Sequence, residues 1–395
     1  MSSKALRKRV PRTTAGEWKP AAARDPLGIL ERNERGRIPA LVTLRRQRMA
    51  ANVFAFYRGG AAVMAADLAG LPVTGLFVQL GGDAHLMNFG GYATPERRLV
   101  FDVNDFDETL QGPWEWDVAR LCASLPLAAE YRTFPKQVGS MAAYAAAQSY
   151  RRKMRTLAGL SPLHVWYSRV DVQGMLALEL TPPVSAVSLK PSDEVIGLAE
   201  RAFTGYRHSL PPFIRMLLDR YEPAGVVEHP VGVGSLGLLA AIVTYRSREG
   251  GFPLYLQLKE AVASVLEEHL GASPFKNHGE RVVAGAHSMQ AASDLFLGWT
   301  SSDGRDYYVR QLRDKKASLN IDAISPKELI DYASRCGAVL ARAHARSGHP
   351  QSIAAYLGSR DVFERAMVRF AQTYARVVRR DYAAFTAGPG DLRRP

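Results

Sequence analysis

An α+β fold in two lobes follows from three features of the sequence. Apolar residues recur at helical spacing over residues 128–157, 192–221 and 326–347. Two short apolar runs, 76–80 and 99–103, read as strands, each ending in a cluster of Asp, Asn or His. A glycine- and β-former-rich stretch occupies residues 226–311. Helices and strands segregated along the chain predict α+β rather than alternating α/β. The chain divides accordingly into a basic mobile arm (1–24), a helical lobe carrying the polar strand ends (25–225), a β-rich lobe (226–311) and C-terminal helices completing the helical lobe (312–395).

With 395 residues, 47% hydrophobic and 23% charged, the chain can bury a large core. The longest apolar run, 231–245, is bounded by His229 and Arg246 and falls short of the roughly 18 residues that span a bilayer. No apolar segment follows the basic N-terminus as it would in a secretory signal. Cys122 and Cys336 cannot build a disulfide framework or a cysteine zinc site and fit a reducing compartment, so the expected location is cytoplasmic. A formal charge of +13 favours anionic partners. The basic residues stand in short scattered clusters with no nucleic-acid-binding motif, the pattern of solvated faces.

Taken in order, residues 41–68 carry Met49, Val53, Phe56 and Met64 at helical spacing. Within them FAFYRGG sets Arg58 before two glycines, and an arginine in a cleft needs a carboxylate or phosphate. The central stretch is GLFVQLGGDAHLMNFGGYATPERRLVFDVNDFDETLQGPWEWDVARL. It offers Asp83, His85 and Asn88 after the first strand, then Asp102, Asn104, Asp105, Asp107 and Glu108 at the second. Mg²⁺-dependent phosphoryl transfer needs one carboxylate to orient the attacking hydroxyl, and an Asn and a second carboxylate to hold the metal. Hard oxygen donors of this kind suit Mg²⁺ better than zinc. Gly81, Gly82, Gly90 and Gly91 permit a tight path around these residues, while Trp114 and Trp116 imply burial beside them. Residues 164–180 read as strand-like or irregular, with His164 structural.

Gly232, Gly234 and Gly237, with Ser235 between them, form G-x-G-x-x-G. A dinucleotide site needs a helix directly after such a loop. Here Ile242, Val243, Thr244 and Tyr245 are β-formers, leading through a turn at 248–253 to a strand bearing Lys259. Glycine loop, strand, turn and lysine strand make the kinase order, in which the lysine meets the nucleotide phosphates. Its expected partner is a helix glutamate, Glu280 within the periodic segment 280–292, with Glu267 and Glu268 as alternatives. Residues 308–311 would offer backbone hydrogen bonds to an adenine, and a helix over 326–347 would start at Ser325 and Pro326 and carry His344 in the core.

The runs GGDAHLMNFG, FDVNDFDE and PWEWDVARL, with FAFYRGGAAVMAADLAGLP before them and VGVGSLG, LQLKEA and FLGW after, resemble the bacterial family catalogued as domain of unknown function 2252. The central block is also similar to the catalytic loop of aminoglycoside phosphotransferases and choline kinases. That second resemblance implies Asp83 as the base-like Asp, Asn88 and Asp105 as metal ligands with Asp107 a further candidate, and Asp117 as a structural Asp. Gly81 stands where those kinases carry their first His. The kinase parts occur in exchanged order, catalytic loop first and glycine loop afterwards, which a circular permutation accounts for. The expected function is an ATP- and Mg²⁺-dependent phosphotransferase with a small-molecule acceptor. Its alternatives are a nucleotide-binding pseudokinase or nucleotidyl transferase on the same fold, or a basic nucleic-acid-binding protein.

Overall fold

The computed structural model describes residues 3–172, 178–181, 191–228, 234, 236–251, 253–312 and 316–388. The chain opens with helices α1 (Ser3–Arg9), α2 (Pro26–Glu34), α3 (Pro39–Ala50), α4 (Val53–Arg58) and α5 (Ala61–Ala69). Strands β1 (Phe77–Leu80), β2 (Phe89–Ala93), β3 (Leu99–Val103) and β4 (Leu110–Pro113) follow, then α6 (Trp114–Tyr131), α7 (Lys136–Ala158), α8 (Pro162–Tyr167) and β5 (Leu178–Thr181). Next come α9 (Asp193–Ser209), α10 (Pro212–Leu218), β6 (Tyr221–Glu228), β7 (Ala240–Ser247), β8 (Leu254–Ala261), α11 (Glu267–Leu270) and α12 (His278–Met289). The chain closes with β9 (Gly298–Ser302), β10 (Arg305–Gln311), β11 (Lys316–Leu319), α13 (Pro326–Ser347), α14 (Pro350–Leu357) and α15 (Val362–Ala387). The fold is α+β, and no described helix is long and apolar enough to cross a membrane.

Local chemistry explains the main elements. Lys259 sits in a five-stranded sheet of order β6-β7-β8-β10-β9, whose neighbours all pair antiparallel. The β9–β10 hairpin turns through Asp303 and Gly304, both at positive φ, as a two-residue Asp-Gly turn requires. α13 begins in a full capping box, Ser325 with Glu328, and has Pro326 in its first turn. Among the described residues β1 pairs only with β4, while β3, β2, β11 and β5 form a second sheet in that order. The loops after β1 and β3 therefore emerge from different sheets and meet.

Two apolar cores stand behind this arrangement. The larger joins α4 to α7, α13 to α15 and the strands β1 and β3. The smaller packs Val195, Leu198, Ala199, Ala202, Phe203 and Tyr206, one face of α9, against Leu256, Leu258 and Val309 of the five-stranded sheet. Thus α9 and α10 belong with the sheet, although the sequence suggested a helical lobe extending to residue 225.

Residues 1–24, expected as a mobile arm, are also corrected: those described are packed. Leu6, Val10 and Trp18 are buried, and Trp18 lies 5.1 Å from the Tyr374 ring. Arg7 and Arg12 donate to the carbonyls of Ala355, Tyr356 and Leu357 at the end of α14. Arg24 forks Asp67 and reaches Asp381 at 2.7 Å. Basic residues that look solvated in the sequence are here satisfying a helix terminus and two carboxylates.

Candidate active site

The Asp83 loop hangs from the first turn of α6. Asp117 accepts the Gly81 and Gly82 N–H groups at 2.8 and 3.0 Å, and its Oδ2 lies 3.2 Å from His344 Nε2. His344 Nδ1 in turn lies 2.9 Å from the Tyr150 hydroxyl, so a buried chain from α7 and α13 supports the loop that begins at Gly81. Gly82 is at positive φ, and a Cβ there would lie 2.2 Å from the Glu108 carbonyl oxygen, so glycine is needed where the two loops cross. Asp83 accepts from Arg120 Nε at 2.8 Å through Oδ1, and its carbonyl accepts from Asn88 Nδ2 at 2.8 Å. Burial pushes the Asp83 carboxyl up to about 7 despite Arg120. His85 accepts the Met87 N–H on Nδ1, and burial, then Arg58 and Arg120, hold it well below its usual range, leaving a neutral ring with its proton on Nε2.

The loop after β3 supplies the opposite wall. Asp107 Oδ2 lies 2.7 Å from Lys259 Nζ, and Asp107 Oδ1 accepts from the Tyr308 hydroxyl at 2.7 Å. Burial alone would raise this carboxyl, but Lys259 and Tyr308 hold it below the carboxylate range. Asp105 is pushed up by burial and then by its neighbour Asp107. Asp102 points away into the core, where Arg342 and the Ala291 N–H hold it.

From the sheet, Gly234 and Gly237 come over this floor. Gly232 and Ser235 lie outside the described residues. Arg37 donates to the Gly234 and Leu236 carbonyls, each at 2.8 Å, and the Ile38 N–H donates to the Gly237 carbonyl at 2.8 Å. A Cβ on Gly234 would stand 4.0 Å from Asp83 Oδ2. The glycine stretch joins β6 to β7, an antiparallel pair, and opens into no helix, which removes the dinucleotide reading. A cleft open to solvent is lined by Asp83, His85, Asn88, Asp105, Asp107 and Glu108 on one side and by Arg37, Arg58, Gly234 and Glu260 on others.

A family model described as an uncharacterized protein conserved in bacteria, DUF2252, matches residues 37–188 and 178–388. The chain belongs to this family. Searches of curated proteins and of solved structures return no match.

In this DUF2252 protein the site departs from expectation at four points. Lys259 pairs with Asp107, not with Glu280, whose backbone N–H caps onto Asn277. The inward residue of α12 is the next one, Arg281, which donates to the carbonyls of Asp107, Thr109 and Val262. Glu267 faces Arg281 at 3.8 Å, so this alternative does not pair with Lys259 either. Asp107, expected among the metal ligands, has both oxygens engaged. Lys259 touches an acid directly rather than facing Asp105 across a gap. Of residues 308–311, expected to present backbone to an adenine, Tyr308 and Val309 lie between β8 and β9 within the sheet, and the Gln311 N–H donates to Asp294.

Among the described residues, no group of three or more His, Cys, Asp or Glu is arranged to hold a metal. Mg²⁺ takes one or two carboxylates and completes its shell with phosphate oxygens and water. Asn88 and Asp105 are oxygen donors of the required hardness, so the residues present fit the ion with that smaller set. Sequence reading missed Arg37 and Arg120. Arg120 stands three residues after Asp117, on the same helix face, a spacing that could have revealed it. Arg37 has no local signal, because its partners are 197 and 199 residues away.

Proposed function

We propose that this DUF2252 protein is an ATP- and Mg²⁺-dependent phosphotransferase acting on a small-molecule acceptor, built on a kinase-like fold in permuted order. One observation carries the reading: a lysine on an antiparallel sheet, entered through a glycine stretch, meets the acidic loop at 2.7 Å across 152 residues of sequence. Kinases need this convergence of lysine, glycine loop and metal-side acid. The strand order β6, β7, β8, then helix α12, then the β9–β10 hairpin also follows the expected sequence of nucleotide-lobe elements.

On this reading Asp83 Oδ2 accepts the proton of the acceptor hydroxyl while Arg120 fixes Oδ1. The acceptor oxygen forms a bond to the γ-phosphorus as the bond to the bridging oxygen of ADP breaks. Lys259 moves part of its charge from Asp107 to the nucleotide phosphates, and Arg37 holds the glycine stretch above them. Asn88 and Asp105 would hold Mg²⁺, which would supply charge neutralisation at the phosphates. Incubation of the purified protein with ATP, Mg²⁺ and fractionated metabolites, followed by intact-mass analysis, tests the reading. A gain of one phosphate supports it; a gain of AMP assigns a nucleotidyl transferase, and nucleotide binding without any product assigns a pseudokinase.

A further inference from the structure

Among the described residues, two hydrogen-bond donors in the cleft lack acceptors. Arg58, the last residue of α4, has no hydrogen bond or ion pair among the described residues, and its Nε is buried. His85 Nε2, which carries the ring proton, lies 3.7 Å from Asp83 Oδ2, beyond hydrogen-bond reach. Both side chains line the cleft beside Asp83.

The neighbouring cations are already engaged. Arg120 is fixed by Asp83 Oδ1 and the Tyr57 carbonyl and lies 4.0 Å from the Tyr57 ring centroid. Arg37 is fixed by the glycine stretch. Asp83 favours the Arg58 charge, but it makes no hydrogen bond to Arg58, and its Oδ1 is held by Arg120. A partly buried guanidinium whose Nε has no hydrogen-bond acceptor is unfavourable, and its planar fork suits a carboxylate or phosphate. Arg58 and His85 belong to the helical body on the Asp83 side, whereas Lys259 comes from the sheet.

We propose that Arg58 and His85 bind an anionic group carried by the acceptor, which makes the acceptor an anionic hydroxy compound, carboxylated or phosphorylated, rather than a cationic amine. The word acceptor rests on the phosphotransferase reading; the anion site rests on the geometry alone.

The test is calorimetric titration of the full-length protein with inorganic phosphate and, separately, with malonate, each with and without saturating Mg²⁺ and a non-hydrolysable ATP analogue. Arg58→Gln should weaken at least one of these anions by about tenfold or more while the analogue's affinity stays within about twofold. The anion with the larger loss indicates whether the natural group is phosphate or carboxylate. Arg58→Lys, which keeps the charge and loses the fork, should fall between the two proteins, and it decides the matter if Arg58→Gln does not fold. Wild-type anion affinity in these variants, or no anion binding to the wild type, overturns the proposal. So does a loss of analogue affinity in step with the anion, which would make Arg58 a triphosphate contact. Arg58-dependent anion binding in a protein that binds no nucleotide would sink the phosphotransferase reading and leave the anion site standing.

Discussion

Asp83 has one oxygen tied to Arg120 and the other facing the cleft, and that asymmetry defines its proposed role. Asp83→Asn keeps the shape and removes the proton acceptor, so turnover should fall by on the order of 10²–10⁴-fold while nucleotide affinity is retained. Near-native turnover in steady-state kinetics would remove Asp83 from the reaction. Glu115 makes a different, pH-dependent prediction. Its Oε1 accepts the Thr74 N–H at 2.8 Å, its Oε2 is buried without a partner, and burial pushes the group up to about 7. A carboxyl with its folded value above its unfolded one stabilises fully below the unfolded value, and that contribution is lost as pH rises through about 7. Glu115→Gln should therefore flatten the decline in stability between about pH 5 and 8, and at pH 8 exceed the wild type by roughly 1–3 kcal/mol in urea unfolding. Parallel pH profiles for the two proteins would contradict this.

Element-scale packing turns on close approaches that only small residues allow. Gly337 lies inside α13, and a Cβ there would stand 2.1 Å from the Ala146 carbonyl oxygen of α7. Alanine would gain about 1 kcal/mol of helix propensity, but backbone against backbone cannot yield easily, and overpacking costs about 1–3 kcal/mol or more. Gly337→Ala should lower the melting temperature in a thermal scan despite its better propensity, and an unchanged or higher value would mean that the two helices separate freely. Elements with local causes were legible in the sequence: the helix start at Ser325 and Pro326 and the β-formers after the glycine stretch. The placement of α9 on the sheet was not, because an amphipathic face does not say which surface it will cover. The packed N-terminal residues were missed for a related reason, since Arg7, Arg12 and Arg24 find partners hundreds of positions or dozens of positions away.

At the scale of the molecule, one cleft gathers residues from 37 to 282 around loops of two different sheets. The residue types that meet there were legible, because Asp83, Asn88 and Asp105, and Lys259 joined to them through Asp107, stand at strand ends or on a strand with recognisable spacing. The pairing was not. Adjacent helix positions point about 100° apart, so a periodicity read over one short helix could not distinguish Glu280 from Arg281 as the inward residue of α12. The Lys259–Asp107 pair is the hinge of the account, joining the sheet to the acidic loop. The most direct measurement is calorimetric titration of a non-hydrolysable ATP analogue, with and without Mg²⁺, into the wild type, Lys259→Met and Asp105→Ala. Mg²⁺-dependent binding to the wild type is expected, weakening by about tenfold or more in Lys259→Met, with loss of the Mg²⁺ dependence in Asp105→Ala. No binding to the wild type, or one affinity shared by all three proteins in both conditions, would contradict it.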